Sequence, residues 1–449
     1  MSSRIRIVRH RYIVLLVLLL WKQTGFCQSS RDTIKKKFTI GEVIGLTKLQ
    51  NKKIQAAIME ESASQSDLHD AQKAKLPQVS LSAEYQRYSK LVLYNDFIYH
   101  SRSVNVFPSS NAALINSTST FNLYSGGKLK ADVLERKLEL LLSKTETLDL
   151  KGSLSLKAAD LYLELVALQV EECLTKDQLS RAELRLKNIN SLFQNQKITR
   201  SDLLRAEVNL SDVKLSLEET HNNIIINRQK LNVLLNLPES TQILTADSTQ
   251  ILNEAGTALD TLSMTGTEES YAVRKAQAEI QLEQARGQKI KSNKLPSLGL
   301  FGTYYLAYPN TLPFPHVDQA YSLGYIGIGI QYNLSALYQN KYKLNASRTR
   351  TAELQLKKEA ISDDVAQEQK ALIIKYNESL NRIKVNQQSI EQARVNYKIV
   401  NTKYLNQLAL LTDLLDADNI YQETRYKLIE AETEARAIYY RLLYLSGNL

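Results

Sequence analysis

The sequence predicts a mostly helical chain made of two alike halves, each a pair of short β-strands followed by an antiparallel hairpin of very long helices. Three observations carry that prediction. The first is a repeat: the stretch NQKITRSDLLRAE at 195–207 recurs as NQLALLTDLLDAD at 406–418, an offset of 211 with no insertion. At the same offset Leu217 falls on Leu428, Glu219 on Glu430, Leu231 on Leu442, Leu234 on Leu445, and Asn122-Leu123 on Asn333-Leu334. A period this long is a duplicated half-molecule, since solenoid units run to about 20–50 residues. The second is composition: 43% hydrophobic, yet only 15 Gly and 7 Pro in 449 residues, with no proline inside 109–237 or after Pro315. Uninterrupted helices are the natural sink for such a chain. The third is period-two alternation in two short segments, each following a Leu-Pro pair.

In chain order, Arg4, Arg6, Arg9 and Arg11 precede an apolar run Tyr12–Trp21 and then Thr24-Gly25-Phe26-Cys27. This is the pattern of a secretory leader over residues 1–27, too short to span a bilayer. Cleavage after Cys27 places Gly25 and Cys27 at the small-residue positions; the alternative, lipidation of Cys27, is opposed by bulky Phe26. Without the leader, 52 basic residues face 47 acidic ones, so half of the +10 formal charge resides in the discarded segment. A nucleic-acid footprint is not supported. Cys173 is then the single cysteine, and no intrachain disulfide framework exists.

Phe38–Leu76 reads as helix, ended by Pro77. Val79–Gln86 alternates as strand, Arg87–Asn111 reads as an aromatic and polar loop, and a second strand carries Ile115, Ser117, Ser119, Phe121 and Leu123 on one face. Ser125-Gly126-Gly127 reverses the chain into a helix running from about Lys128 to Gln194, on the order of 100 Å at about 1.5 Å per residue. After a tight turn Asp202–Leu237 returns antiparallel and Pro238 closes the half. A Ser-, Thr- and Asp-rich connector spans 239–266. The plan then repeats: helix Glu268–Leu295, strand Leu298–Leu306, a Pro-rich loop, strand Tyr321–Leu334, long helix 336–406 and return helix 412–445. Lys75-Leu76-Pro77 matches Lys294-Leu295-Pro296 at an offset of 219, so the two hairpin loops between strands differ in length. In Tyr321–Leu334 the apolar face switches from odd to even positions, which suggests a bulge near Tyr325, with Gly324, Gly327 and Gly329 permitting curvature.

Four strands cannot close a barrel alone, and open edges are not tolerated in lipid, so oligomerisation must supply the rest. Three chains would give twelve strands, an even count suited to an outer-membrane barrel. Tyrosines flanking the strands (Tyr85, Tyr88, Tyr94, Tyr99; Tyr304, Tyr305, Tyr308, Tyr321) suit interfacial girdles, although short alternating strands with tyrosines also build soluble sandwiches; the secretory leader and the two long rods favour the membrane.

The Leu-Pro before each first strand, Tyr124-Ser125-Gly126-Gly127, Thr199–Glu207 and Leu411–Ala417 together resemble an outer-membrane efflux protein of the TolC family, over essentially all of the mature sequence. The resemblance implies a homotrimer with a 12-stranded outer-membrane β-barrel, four strands per chain, continued by a long α-helical coiled-coil tunnel through the periplasm of a Gram-negative bacterium. It implies a passive exit for drugs, small molecules or proteins, not an enzyme, without cofactor or metal. Expected partners are outer-membrane lipid, a periplasmic adaptor (membrane fusion) protein and an inner-membrane RND, ABC or MFS pump.

Asp413 and Asp416, three apart, share a helix face just past the turn. They match acids that ring the periplasmic mouth in the family and would attract cations there; N-capping by Asp413 or Thr412 explains one acid but not the pair. Asp202 occupies the matching place in the first half, where Arg205 replaces the second acid. Tyr404 and Asp202 match a tyrosine and an acid that help close the mouth in relatives, while Ala409 stands where the family's prototype has an arginine. The turns Gln196-Lys197-Ile198-Thr199-Arg200-Ser201 and Gln407-Leu408-Ala409-Leu410-Leu411-Thr412 would form the adaptor-contacting tip. Many relatives carry Gly where Gln196 and Gln407 stand. A different class, a periplasmic adaptor or structural coiled coil, should show a single hairpin flanked by lipoyl-like modules. The scattered histidines have no ligand spacing, and Ser125-Gly126-Gly127-Lys128 lacks the spacing of a phosphate loop.

Overall fold

The structure, a computed structural model, describes residues 35–95, 100–104, 109–246, 267–312 and 316–449. The expected leader with Cys27, and residues 247–266 of the connector, lie outside them. Helix dominates because Leu, Glu, Lys, Gln and Ala run on without proline: α3 (Lys128–Gln194) has 67 residues and α6 (Ala336–Leu405) has 70. No single neighbour is that long. Each rod is instead accompanied by two shorter helices placed end to end.

In the first half these are α4 (Arg200–Leu234), which returns from the turn, and α2 (Lys52–Lys73), which follows α1 (Ile40–Gln50). The sequence suggests one helix over Phe38–Leu76, but the chain bends at Asn51, whose backbone is extended (φ −65°, ψ 127°). Asn51 is buried. Its Oδ1 accepts the Lys53 N–H to cap α2, and its Nδ2 donates to the Leu234 carbonyl at the end of α4. One asparagine thus satisfies two helix ends that face each other. Phe38 belongs to β1 (Lys35–Phe38), not to the helix; β1 pairs in parallel with β6 (Gln242–Thr245), a strand inside the segment read as connector. Tyr162 of α3, fully buried, donates its hydroxyl to the Phe38 carbonyl and accepts the Ala246 N–H. Around it Val43, Leu165, Ile224, Leu231 and Ile243 form the largest core cluster.

The second half splices its helices at the matching point. α7 (Leu411–Leu445) ends against the start of α5 (Tyr271–Ser292), which is shorter than the expected Glu268–Leu295 and is preceded by a 3₁₀ turn, Thr267–Glu269. The Tyr271 hydroxyl donates to the Leu449 carbonyl, and Tyr444 packs on Tyr271 while donating to Asp149 of α3. Gly447 has φ +74°, and a Cβ there would lie within 2.2 Å of the Glu269 carbonyl oxygen, so only glycine lets the two helices meet.

At the other end of the rods lies a four-stranded antiparallel sheet, ordered β2 (Gln78–Arg87), β5 (Asn111–Tyr124), β7 (Ser297–Tyr308), β8 (Tyr321–Gln331). The stretch 87–111 read as loop contains a further hairpin of its own, β3 (Leu91–Asn95) with β4 (His100–Val104). Register places Val79, Leu81, Ala83, Tyr85, Ile115, Phe121, Leu298, Leu300, Tyr304, Leu306, Ile326, Ile328 and Ile330 on one face. On the other stand Gln78, Ser80, Ser82, Glu84, Asn116, Thr118, Thr120, Asn122 and Thr303. The apolar face is bare: Leu81 is 76% exposed and Ile326 87%.

No bulge occurs near Tyr325. The β7–β8 register is unbroken from Ser297↔Gln331 to Ala307↔Tyr321, and the irregularity lies in β5, between Asn122 and Tyr124. The parity switch has another cause: Tyr321, Leu323 and Tyr325 simply stand on the face opposite the isoleucines. The glycines of β8 leave room for rings, because a Cβ at Gly327 would meet Phe301 at 2.6 Å and one at Gly324 would meet Tyr304 at 2.8 Å.

Four helix ends finish alike. Gln196 (φ 57°), Asn236 (φ 53°), Gln407 (φ 61°) and Gly447 (φ 74°) are left-handed, in two pairs separated by 211. Around the tip turns Lys197 N–H bonds the Leu192 carbonyl and Gln196 N–H that of Phe193, and Leu408 and Gln407 do the same with Lys403 and Tyr404, the Schellman pattern. Glutamine pays for that geometry where glycine would not. Replacing Gln407 by Gly should therefore raise the urea midpoint of the helical circular-dichroism signal, by about 0.5–1 kcal/mol of stability after the larger chain entropy of glycine is deducted; Gln407→Ala should bring no such gain.

Candidate functional site

The tips of the two hairpins meet. Leu186, Ile189, Ile198, Leu203 and Ala206 from the first pack with Tyr397, Val400, Tyr404, Ala409, Leu411, Leu414 and Leu415 from the second. Leu203, Ala206, Leu411 and Leu414 lie on the inner stripes of α4 and α7, so burial fixes which residues of each turn remain outside.

Past the first turn, Thr199 accepts the Asp202 N–H and Asp202 accepts the Thr199 N–H, a reciprocal capping box. Leu410 has no acceptor to match Thr199, so in the second turn only the return half exists: Asp413 accepts the Leu410 N–H at 3.0 Å. Asp413 is thus a capping residue as well as an exposed acid. Asp416, one turn on, is exposed on the same face and Arg205 is exposed at its counterpart position. Lys197, Arg200, Ser201, Gln407, Leu408 and Thr412 are exposed at the tip, whereas Ile198 and Ala409 turn toward the shared core. Arg200, Leu204, Arg205, Val208 and Asp212 line an open groove of about 730 Å³ that reaches Leu415.

Tyr404 is 8% exposed and its hydroxyl has no hydrogen-bond partner. Asp202 is near enough for its charge to add to burial in raising the phenol above its usual range, but the Asp202 carboxylate is bonded to Thr199, not to Tyr404. The structure therefore brings these two residues close without linking them.

The polar link between hairpins centres on Asp418, about two turns into α7, on residues the sequence did not single out. Asp418 of α7 is 2% exposed, and α3 supplies two arginines to it: Arg181 Nε at 3.0 Å and Arg185 Nη2 at 2.5 Å. Arg185 also donates to Asn209, and Arg181 to Gln422 and Asp177. Arg425 bonds Asp177 at 2.9 Å, while Tyr397 and Tyr421 stack with Arg181 within 6 Å of both rings. Burial would raise the Asp177 carboxyl, but the Arg425 hydrogen bond and the Arg181 charge outweigh it and hold it below its usual range. Its contribution is therefore complete above the ordinary carboxylate pKa and lost as pH falls through the lowered one. Arginines four apart with an acid at 418 were visible as letters, but their meeting depends on the stagger of α3 against α7.

Higher up, between α3 and α7, Asp160, Glu164, Glu171, Glu430 and Glu434 surround a second groove of about 740 Å³ with Arg441. Burial, with the nearby charge of Glu164 for the first and Glu219 for the second, raises the carboxyls of Asp160 and Glu171. Among the described residues no group of His, Cys, Asp and Glu could hold a metal ion, and no helix is long and apolar enough to cross a membrane.

The sequence profile of the outer membrane efflux protein family matches residues 43–237. No curated protein sequence matches the chain. Solved structures share its fold: the outer membrane protein VceC of Vibrio cholerae (15% identity, 91% of this chain and 96% of that one, TM-score 0.75) and the CmeC outer membrane channel of Campylobacter jejuni (15%, 91% and 86%, 0.73). The open state of the MtrE outer membrane channel of Neisseria gonorrhoeae is similar too (13%, 91% and 89%, 0.71).

A buried carboxylate facing two arginines makes a sharp test of the inter-hairpin link. Asp418→Ala should destabilise the helical region by about 3–5 kcal/mol, because Arg185 is left buried without a counter-charge. Adding Arg185→Met to Asp418→Leu should recover most of that loss, measured as a double-mutant cycle in urea.

Proposed function

We propose that the chain is the outer-membrane channel of a tripartite efflux or type I secretion system, a passive exit duct through the periplasm and not an enzyme; the match of residues 43–237 to the outer membrane efflux protein family and the fold shared with outer-membrane channels support this reading. The observation that carries this reading is the sheet: one face bare and apolar, the other polar, with β2 and β8 unpaired at its edges. Water would not tolerate that apolar face, and lipid would not tolerate those edges. Both are answered when β8 of one copy pairs with β2 of the next, three copies closing twelve strands around a lumen lined by the polar face.

The rods continue the lumen. At about 1.5 Å per residue they reach on the order of 100 Å into the periplasm. Their tips, Gln196–Ser201 and Gln407–Thr412, face an adaptor, and the groove flanked by Arg200 and Arg205 offers it an apolar floor with basic walls. The pump supplies the energy, through that adaptor. Three copies place six carboxylates, Asp413 and Asp416 of each, around the mouth, a field that draws cations and repels anions. Opening then requires α6 and α7 to move away from α3 and α4, and the Asp418 grip of Arg181 and Arg185 must loosen first. Tyr404 and Asp202 lie on the same seam, one unbonded hydroxyl and one acid already engaged, ready to exchange partners as the tips shift.

Purified protein should migrate as a heat-modifiable trimer from outer-membrane fractions and conduct in planar bilayers. Asp413→Asn with Asp416→Asn should weaken block by divalent cations about tenfold, and Asp418→Asn should raise mean conductance several-fold. A soluble monomer without conductance would overturn the channel reading. Unchanged block in the double variant would move the mouth elsewhere.

A further inference from the structure

We infer that the lumenal wall of the barrel carries a weak binding strip for planar aromatic cations, built by Tyr305, Tyr321 and Tyr325. The inference rests on the reading of the polar sheet face as the lumen and names a cargo class for it. On β2 and β5 that face is mostly Gln, Ser, Thr and Asn, with Glu84 and Leu114 opposite one another, as suits a water-filled pore. On β7 and β8 it is not: the same face carries Phe301, Tyr305, Tyr321 and Tyr325, with Phe301 and Tyr325 on one diagonal of the register, Tyr305 and Tyr321 on another, and Leu323 between them opposite Tyr305. Phe301 meets Tyr325 edge to face at 6.3 Å between ring centres, and Tyr305 meets Tyr321 likewise at 5.8 Å.

Covering of glycine backbone accounts for only one of these rings. Phe301 lies over Gly327 and Gly329 and covers backbone that would otherwise be bare. No glycine lies under Tyr305, Tyr321 or Tyr325, and Tyr325 is 51% exposed on the side away from lipid. Charge supplies the second half of the recognition. Across the four strands this face bears no lysine or arginine and a single ionisable acid, Glu84 of β2. In the closed barrel β2 of the next copy adjoins β8, so the strand that borders each tyrosine strip carries a Glu84 on the same face. Aromatic faces and one carboxylate, with no competing cation, select a flat ring bearing positive charge over an anion or an aliphatic cation. A weak site suits an exit, since cargo must also leave.

The test uses the purified trimer in a planar bilayer, with block of single-channel current measured from the barrel side. Benzyltrimethylammonium should block at a concentration about three- to fivefold lower than its saturated counterpart, (cyclohexylmethyl)trimethylammonium, which has the same charge and nearly the same size. Tyr305→Thr with Tyr325→Thr should bring the two ions to equal potency, while Asp413→Asn with Asp416→Asn should leave their ratio unchanged. Equal block by the two ions in the unmodified channel overturns the strip and leaves the channel standing. Absence of any conductance overturns the channel reading, and the strip with it. The comparison of two ions on the unmodified protein requires no variant to fold.

Discussion

A helix of 67 residues can be covered along its length only if shorter helices are joined beside it, and every joint exposes helix ends that must be satisfied. The whole molecule is arranged around that constraint. At one joint Asn51 bridges the end of α4 and the start of α2; at the other Gly447 allows a backbone approach that Tyr271 fastens through the Leu449 carbonyl. The first joint sits against the core around Tyr162, and the second is closed by the Tyr271–Tyr444 ring pair.

Much of the architecture was legible because it is periodic. Long proline-free runs of Leu, Glu, Lys and Ala leave little choice but helix, and Val79–Gln86 leaves little choice but strand. Where the reading missed, one residue in a special place decided the outcome. Asn51 looks like any polar residue in a helix until its amide finds the Leu234 carbonyl, and Gln242–Thr245 is too short to stand out from a polar connector until β1 lies beside it. The parity switch in β8 was real, yet its cause was aromatic rings over glycines and not an extra residue. Period alone cannot separate the two.

The tip was legible in part. The 211-residue offset located both turns and the acids beyond them, and the left-handed glutamines follow the same offset. The strongest polar contact between hairpins was not visible, since Arg181, Arg185 and Asp418 come together only through the stagger of helices from different halves. The family resemblance suggested Tyr404 and Asp202 instead, which sit on the seam but are not bonded to one another. Their placement is a matter of neighbours, not of spacing.

Gene duplication produces two staves that begin as equals, and a tube of equal staves has no distinction between frame and moving part. The positions corresponding to Arg181, Arg185 and Asp418 in the opposite halves are Gln392, Asn396 and Glu207. Neutral amides thus stand where the guanidinium groups would be. The restraint therefore exists in one sense only, from the amino-terminal stave inward to its carboxy-terminal twin. With that asymmetry the two halves are no longer interchangeable: one holds and the other is held.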